Sequence, residues 1–349
     1  MPLDKNIQEK ISLEVIKVLH ARFNNFPDDA TSNRNAPFHE SFLKAFNDRL
    51  EGKVQDIPYF ISLSSWLHGL NTTLGQTFFE KVAQILSGGE KRDYTSGKNT
   101  LLKITHSQKS EIAEIITELK NGNKKPDCTE ENKRIFVGKG DHLIEANSFT
   151  ADVFFEDEKK VTAIELKSVK PNAGEMRSEK QKILEAKAAL YKEFPTKEVY
   201  FYMGFPFDPT SKSSIGFNKV RFLNSIIDAS KYFEANEIKL SSELWDFLAG
   251  EKDTMKQILD IINVIATPEF MERYFYINHK SNRKTQKYLN ILNEWNLFSE
   301  EKIIKNEKLI HQQIEDSNIF QRIFNQQIFK EGVYNWHRFN KLNSLISKR

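Results

Sequence analysis

The chain has a single cysteine, Cys128, in 349 residues. An internal disulfide and a cysteine-rich metal site are both excluded, and the composition suits a reducing compartment. Glycine (14) and proline (10) are scarce, which argues against an all-β fold with its many turns. No stretch approaches the roughly 18 uninterrupted apolar residues of a membrane span, and Met1 to Lys10 lacks the apolar run of a signal peptide, so the expected location is the cytoplasm. A strong charge of one sign is missing too. Lys and Arg number 51 against 48 Asp and Glu, a net charge of +3, so any contact with a polyanion must come from local patches. There is no Walker loop, no GxGxxG opening a helix and no HExxH, and Gly174-Glu175 offers no nucleophile elbow. The histidines are scattered, and Asn278-His279 lacks the surroundings of an HNH nuclease.

What is abundant is Lys, Glu, Leu and Ile, together with 27 Phe, a composition that favours helices. Ile7, Ile11, Val15, Ile16 and Leu19 recur at helical spacing and predict a helix over Asn6 to Phe23. A second is expected over Phe38 to Arg49. Ile57 to Leu70 is apolar and leads into Asn71-Thr72-Thr73, a cap-like start for a helix over Leu74 to Leu86 that Gly88-Gly89 stops. Another helical pattern, over 111–120, is broken by Asn121-Gly122-Asn123. After Pro126 the pattern changes. Arg134 to Val137, Phe149 to Glu156, Val161 to Val169 and Val199 to Phe205 are short, β-branched and aromatic, and read as strands. Between the last two lies a helix over Glu179 to Phe194, with Ser178 and Gln181 as a capping box and Ile183, Leu184, Leu190, Tyr191 and Phe194 as its apolar face. Helical patterns resume from about residue 218. The order predicts an α/β core with helical N-terminal residues over 1–217, and a mostly helical subdomain over 218–349 that binds DNA, dimerises or covers the core.

The chemistry gathers in Thr150-Ala151-Asp152-Val153-Phe154-Phe155 and Ala163-Ile164-Glu165-Leu166-Lys167. Residues two apart on a strand share a face, so Glu165 and Lys167 project together with Ala163. Asp157 to Lys160 is a polar tetrapeptide of hairpin-loop length. If Glu156 pairs with Val161 across it, Asp152 lies opposite Glu165. Two carboxylates would then converge beside an ammonium, an arrangement suited to a hard divalent cation such as Mg²⁺. Such an ion activates water and stabilises a phosphoryl transition state, and the lysine can orient that water or assist its deprotonation. The acid-x-Lys triplet alone carries little weight, since Glu118-Leu119-Lys120 and Glu185-Ala186-Lys187 also match it inside helical patterns. The bland alternative is a solvent-facing hairpin with an ordinary ion pair.

The pattern Asp152…Glu165-Leu166-Lys167 resembles the PD-(D/E)XK nuclease superfamily. More closely, Ser148-Phe149-Thr150-Ala151-Asp152-Val153 followed by Ile164-Glu165-Leu166-Lys167-Ser168-Val169-Lys170-Pro171-Asn172 resembles TdeIII-like type II restriction endonucleases. That resemblance covers about residues 140–195 and, more weakly, 60–90. It implies a restriction-endonuclease-like core, a mixed central β-sheet flanked by helices, with further helices at both ends. It also implies Mg²⁺-dependent cleavage of double-stranded DNA at a short site of the GGNCC type. Asp152 and Glu165 would be metal ligands and Lys167 the catalytic lysine. Ala151 stands where the superfamily often has Pro, and Pro126-Asp127 lies too far upstream to replace it. Glu80 would be a further metal-ligating acid of the kind such enzymes supply from a preceding helix; otherwise it is a solvated glutamate.

Lys180 and Gln181, read as opening the helix after the catalytic strand, are candidate phosphate contacts. Asn278 to Asn293 carries His279, Lys280, Arg283, Lys284 and Lys287 without an acid, a candidate DNA surface or simply a solvated face. Tyr334-Asn335-Trp336-His337-Arg338 and the terminal Lys348-Arg349 form another, and the loop from Pro206 to Phe217 is a plausible position for base readout. Cleavage of both strands of a palindrome implies a homodimer, and a restriction role implies a methyltransferase protecting the same site. Two other readings stand beside this one: a structure- or damage-specific repair nuclease of the same superfamily, and a catalytically silent DNA-binding protein.

Overall fold

The structure, a computed structural model, describes residues 1–27, 36–54, 56–94, 101–137, 142–167, 173–314 and 317–346. The motif residues Ser168 to Asn172 and the basic pair Lys348-Arg349 lie outside the described residues. The chain divides into two compact units, one of Met1 and 79–257, the other of 2–78 and 258–349. The sequence reading divides the chain after residue 217. In the structure, residues 218–257 belong to the first unit, because Phe222, Leu223, Ile226, Ala229, Tyr232, Phe233, Ile238 and Leu240 complete its core.

The first unit is built on a mixed five-stranded sheet. Its strands are β1 (Glu90–Tyr94), β4 (Phe149–Glu156), β5 (Lys160–Leu166), β6 (Glu198–Phe205) and β7 (Ile238–Leu240), in spatial order β1-β4-β5-β6-β7. A separate two-stranded ladder joins β2 (Lys103–Thr105) to β3 (Leu143–Glu145). The pairs β1/β4 and β4/β5 are antiparallel, whereas β5/β6 and β6/β7 are parallel. A parallel neighbour requires a crossover connection, and between β5 and β6 the Ala173–Glu193 helix supplies it. This helix and the His106–Asn121 helix pack with the buried face of the sheet in one core that includes Phe154, Val161, Ala163, Ile183, Leu184 and Leu190. Phe247, on the Ser242–Ala249 helix, meets Phe155 and Tyr202 of the sheet. This is the α/β architecture with a mixed central sheet flanked by helices.

The β4–β5 hairpin has the expected register, Glu156↔Val161 through Val153↔Ile164. Its turn is closed by the Asp157 carboxylate, which accepts from the backbone N–H groups of Lys159 and Lys160 at 2.7 and 2.8 Å.

Three local expectations are corrected. Arg134 to Val137 is not a strand: Asp127 caps a helix over Cys128–Ile135 by accepting from the Glu130 N–H, and Arg134 reaches Glu111 and Glu118. Asn71-Thr72-Thr73 does not start a helix. It ends the Ile57–Thr73 helix, and the Thr72 and Thr73 hydroxyls donate back to the carbonyls of His68 and Gly69 instead of capping forward. Ser178 does not open the helix after β5 either, because that helix already runs from Ala173 and the Ser178 hydroxyl donates to the Glu175 carbonyl.

In the second unit the Lys5–Phe23 helix buries Ile11, Val15 and Ile16. The Glu9 carboxylate accepts from the backbone N–H and the hydroxyl of Ser299, both at 2.7 Å. A further cluster of Ile303, Ile310, Ile314, Phe324, Leu342 and Leu345 forms among the C-terminal helices.

Candidate active site

Asp152 and Glu165 come from neighbouring strands and face the same way. Asp152 Oδ2 accepts from the Leu166 N–H at 2.8 Å, so the β5 backbone fixes the β4 carboxylate. Lys167, just beyond β5, is held by its own N–H, which donates to the Gly204 carbonyl of β6 at 2.8 Å. Its ammonium lies 2.9 Å from Glu165 Oε1 and 3.0 Å from Glu179 Oε1. The sequence-derived triad is therefore assembled at one end of the hairpin.

More groups converge there than the sequence reading proposed. The Ala173–Glu193 helix packs over the face that carries Glu165, and one turn of it presents Glu179 and Lys182. The Lys182 ammonium bridges Glu165 Oε2 and Glu179 Oε2, both at 2.7 Å. On the other side stands the Phe79–Ser87 helix. Val82, Ala83 and Leu86 bury its apolar face, and Gln84 Nε2 donates to the Asp152 carbonyl at 2.8 Å. Glu80, one turn earlier on the same stripe, thereby reaches the site, joined to Asp152 through the Lys91 ammonium at 2.9 and 3.4 Å. Two glycines allow the sharp passage from this helix into β1. Gly88 adopts a φ of +65°, which an L side chain resists, and a Cβ on Gly89 would sit 2.7 Å from the Phe154 carbonyl oxygen.

The electrostatics follow from this packing. Burial pushes the Asp152 carboxyl above its ordinary pKa, with Glu80 and Glu165 adding to the rise against the Leu166 N–H and Lys91. Burial opposes the charge on Lys167, but Glu165 and Glu179 outweigh it and hold the ammonium above the usual lysine value. For Glu179, burial is likewise outweighed, by Lys182 and Lys167, and its pKa is lowered.

The proposed phosphate contacts fare unevenly. Lys180 is fully buried, its ammonium between Glu131 and Glu237, so it presents nothing to a ligand. Gln181, well inside the helix, donates to Glu185. Arg283 is buried, stacks on Phe324 and donates to the Gln326 carbonyl. Arg338 is also buried, against Glu300. Lys280 and Lys284 are exposed, Lys284 with Glu307 3.8 Å away, and Lys287 is exposed but paired with Glu272. The stretch without acids thus meets acids from other helices.

A model of the HinfI family of type II restriction endonucleases matches residues 3–266. The chain belongs to that family. A relative with a curated name, the type II restriction enzyme MjaII of Methanocaldococcus jannaschii, is 44% identical over 372 aligned residues, spanning 100% of this chain and 99% of its own length. Membership of the HinfI family makes the chain a type II restriction endonuclease, a hydrolase, as the TdeIII-like resemblance implied for the class though not for the group within it. The matched region contains the sheet and, among the described residues, the charged groups gathered at the hairpin's end: Glu80, Lys91, Asp152, Glu165, Lys167, Glu179 and Lys182. The repair-nuclease and silent-binder readings are not favoured by either comparison. Among the described residues no helix is long and apolar enough to cross a membrane.

Proposed function

We propose that this chain hydrolyses phosphodiester bonds of double-stranded DNA at a short palindromic site, through a PD-(D/E)XK centre of Asp152, Glu165 and Lys167 that uses Mg²⁺. The observation that carries the reading is the meeting of the two carboxylates at the hairpin's end with the Lys167 ammonium 2.9 Å from Glu165 Oε1.

The donor set fits the ion. Asp152 and Glu165 offer hard carboxylate oxygens alone, with no sulfur or imidazole beside them. Among the described residues no three His, Cys, Asp or Glu side chains form a cage able to hold a metal. Mg²⁺ is characteristically bound without such a cage, by one or two carboxylates, with water and substrate phosphate completing its shell. When bound, it supplies an acidified water and neutralises charge on the phosphoryl oxygens.

The protein's own groups then have defined tasks. Leu166 N–H holds Asp152 in place, so the carboxylate needs little reorganisation. Lys167 stays protonated, because Glu165 and Glu179 favour its charge. It therefore orients the nucleophile and offsets developing negative charge, rather than accepting the proton. Lys280 and Lys284, exposed and basic, are the proposed phosphate contacts of the 278–293 stretch. Two copies acting on the two strands form a homodimer, a methyltransferase protects the host's copies of the site, and the cytoplasm is where both work.

The test pairs plasmid digestion with a gel shift on Lys167→Ala. Discrete fragments from the native protein with Mg²⁺, and no cleavage but retained binding by the variant, are expected. Sequencing the fragment ends reads the site directly, including the GGNCC pattern that the TdeIII-like resemblance implied. Undiminished cleavage by Lys167→Ala removes the proposed centre, and branch-dependent nicking by the native protein removes site specificity.

A further inference from the structure

Lys91 enters the site through an irregularity in the sheet. β1 pairs with β4 as Glu90↔Phe154 and then as Arg92↔Ala151, so β4 carries one extra residue and Val153 and Asp152 both stand opposite Lys91. Such a bulge re-aims side chains of the strand that carries it, a device common beside active sites. Here the Lys91 ammonium ends 2.9 Å from Glu80 Oε2 and 3.4 Å from Asp152 Oδ1. Lys167 and Lys182 tie Glu165 to Glu179 with side chains 18% and 22% exposed, whereas Lys91 is 42% exposed. Of the three ammoniums, Lys91 has the most freedom to withdraw.

We propose that Lys91 is a tethered placeholder cation, holding Glu80 and Asp152 together until a divalent ion displaces it. This rests on the reading of Asp152 as a metal ligand. Two partly buried carboxylates with no cation between them repel. The Lys91 ammonium removes that repulsion in the metal-free protein. The charge balance then makes its departure favourable. Among the described residues, Glu80, Asp152, Glu165 and Glu179 face Lys91, Lys167 and Lys182, one negative charge in excess. A dication arriving with Lys91 in place leaves the cluster positive; with Lys91 withdrawn into solvent it is neutral. Asp152 is fixed by the Leu166 N–H throughout, so the lysine is the part that moves. Lys91 is thus a positioning residue whose charge competes with the metal.

The experiment uses the full chain without DNA and Mn²⁺ alone as the probe, with free Mn²⁺ followed by electron paramagnetic resonance. Lys91→Met is expected to bind about tenfold more tightly or better, since one unit charge a few ångströms from the ion is removed. Lys91→Arg, which keeps the charge, stays within about threefold of the native protein by the same reasoning. Equal or weaker binding by Lys91→Met, or binding by neither protein, overturns the placeholder. Asp152→Asn separates this from the catalytic reading. Native binding that survives Asp152→Asn strikes the proposed centre itself. Binding lost there but unchanged in Lys91→Met strikes the placeholder alone.

Discussion

The Asp152 carboxylate accepts its hydrogen bond from the Leu166 backbone, one residue past Glu165 and one before Lys167. A single backbone-to-carboxylate hydrogen bond thus ties the β4 acid to the strand that leads into the other two members of the triad. Relative placement of the three is set by main chain, which varies far less than side-chain rotamers.

Asp152→Asn keeps an oxygen that can accept from Leu166 but loses the charge. Cleavage should fall by about 10²–10³-fold or more, while the unfolding free energy from urea melts changes by no more than about 1 kcal/mol, since the packing is kept. Single-turnover cleavage and urea melts on the same preparation check both. A large loss of stability would show that the carboxylate's role is structural.

Glu179→Gln removes one of the two anions on the Lys167 ammonium and frees Lys182 from its bridge. Groups that orient catalytic residues without touching substrate typically cost about 10–100-fold. That loss is expected in kcat with KM nearly unchanged, since the lysine acts on the transition state. A change confined to KM would place Glu179 in DNA binding instead.

Strand periodicity made Asp152, Glu165 and Lys167 legible, because a period of two converts spacing into facing once the hairpin loop is located. The same rule could not reach Lys91, which stands opposite a bulge of β4, where the regular pairing of β1 with β4 fails. Glu179 and Lys182 were hidden for another reason. They reach the site because the crossover helix packs over β5 and starts at Ala173, five residues before Ser178. Reading Ser178 as the cap turned Lys180 into a helix-end cation, when it lies within the helix on its buried side. Glu80 was visible only through resemblance. Its approach to the hairpin depends on Gln84 reaching the Asp152 carbonyl, a contact without sequence signature. Arg283 and Arg338 show the general difficulty: basic residues in an acid-free stretch read as surface, yet tertiary partners bury both.

Lys180→Met tests that correction. Among the described residues, the substitution leaves Glu131 and Glu237 buried with Lys187, 3.6 Å from Glu237, as the remaining cation to offset them. A loss of about 3 kcal/mol is expected, read as a lower urea midpoint with unchanged slope. DNA affinity per folded molecule should not change. Normal stability with weakened DNA binding would return Lys180 to the role that its sequence position suggested.

Asp208 yields a pH-dependent prediction for the loop that follows β6. Its buried carboxylate accepts from the Thr210 N–H and hydroxyl at 2.8 and 2.6 Å and from the Asn218 N–H at 3.0 Å, with Arg221 3.5 Å away. Burial raises the carboxyl pKa, but these donors outweigh it and leave the group below its ordinary value. A folded pKa below the unfolded one means that the unfolded chain binds the proton more readily. The stabilisation is therefore complete above the unfolded carboxylate value, near about 3.9, and disappears as pH falls through the lowered folded value. Asp208→Asn should cost about 2 kcal/mol at neutral pH, and the gap from the native protein should stay constant down to about pH 5 and close below about pH 4. Urea melts of both proteins across that range measure it. A gap that persists undiminished at the acid end would mean that the loop depends on the shape of the side chain rather than its charge.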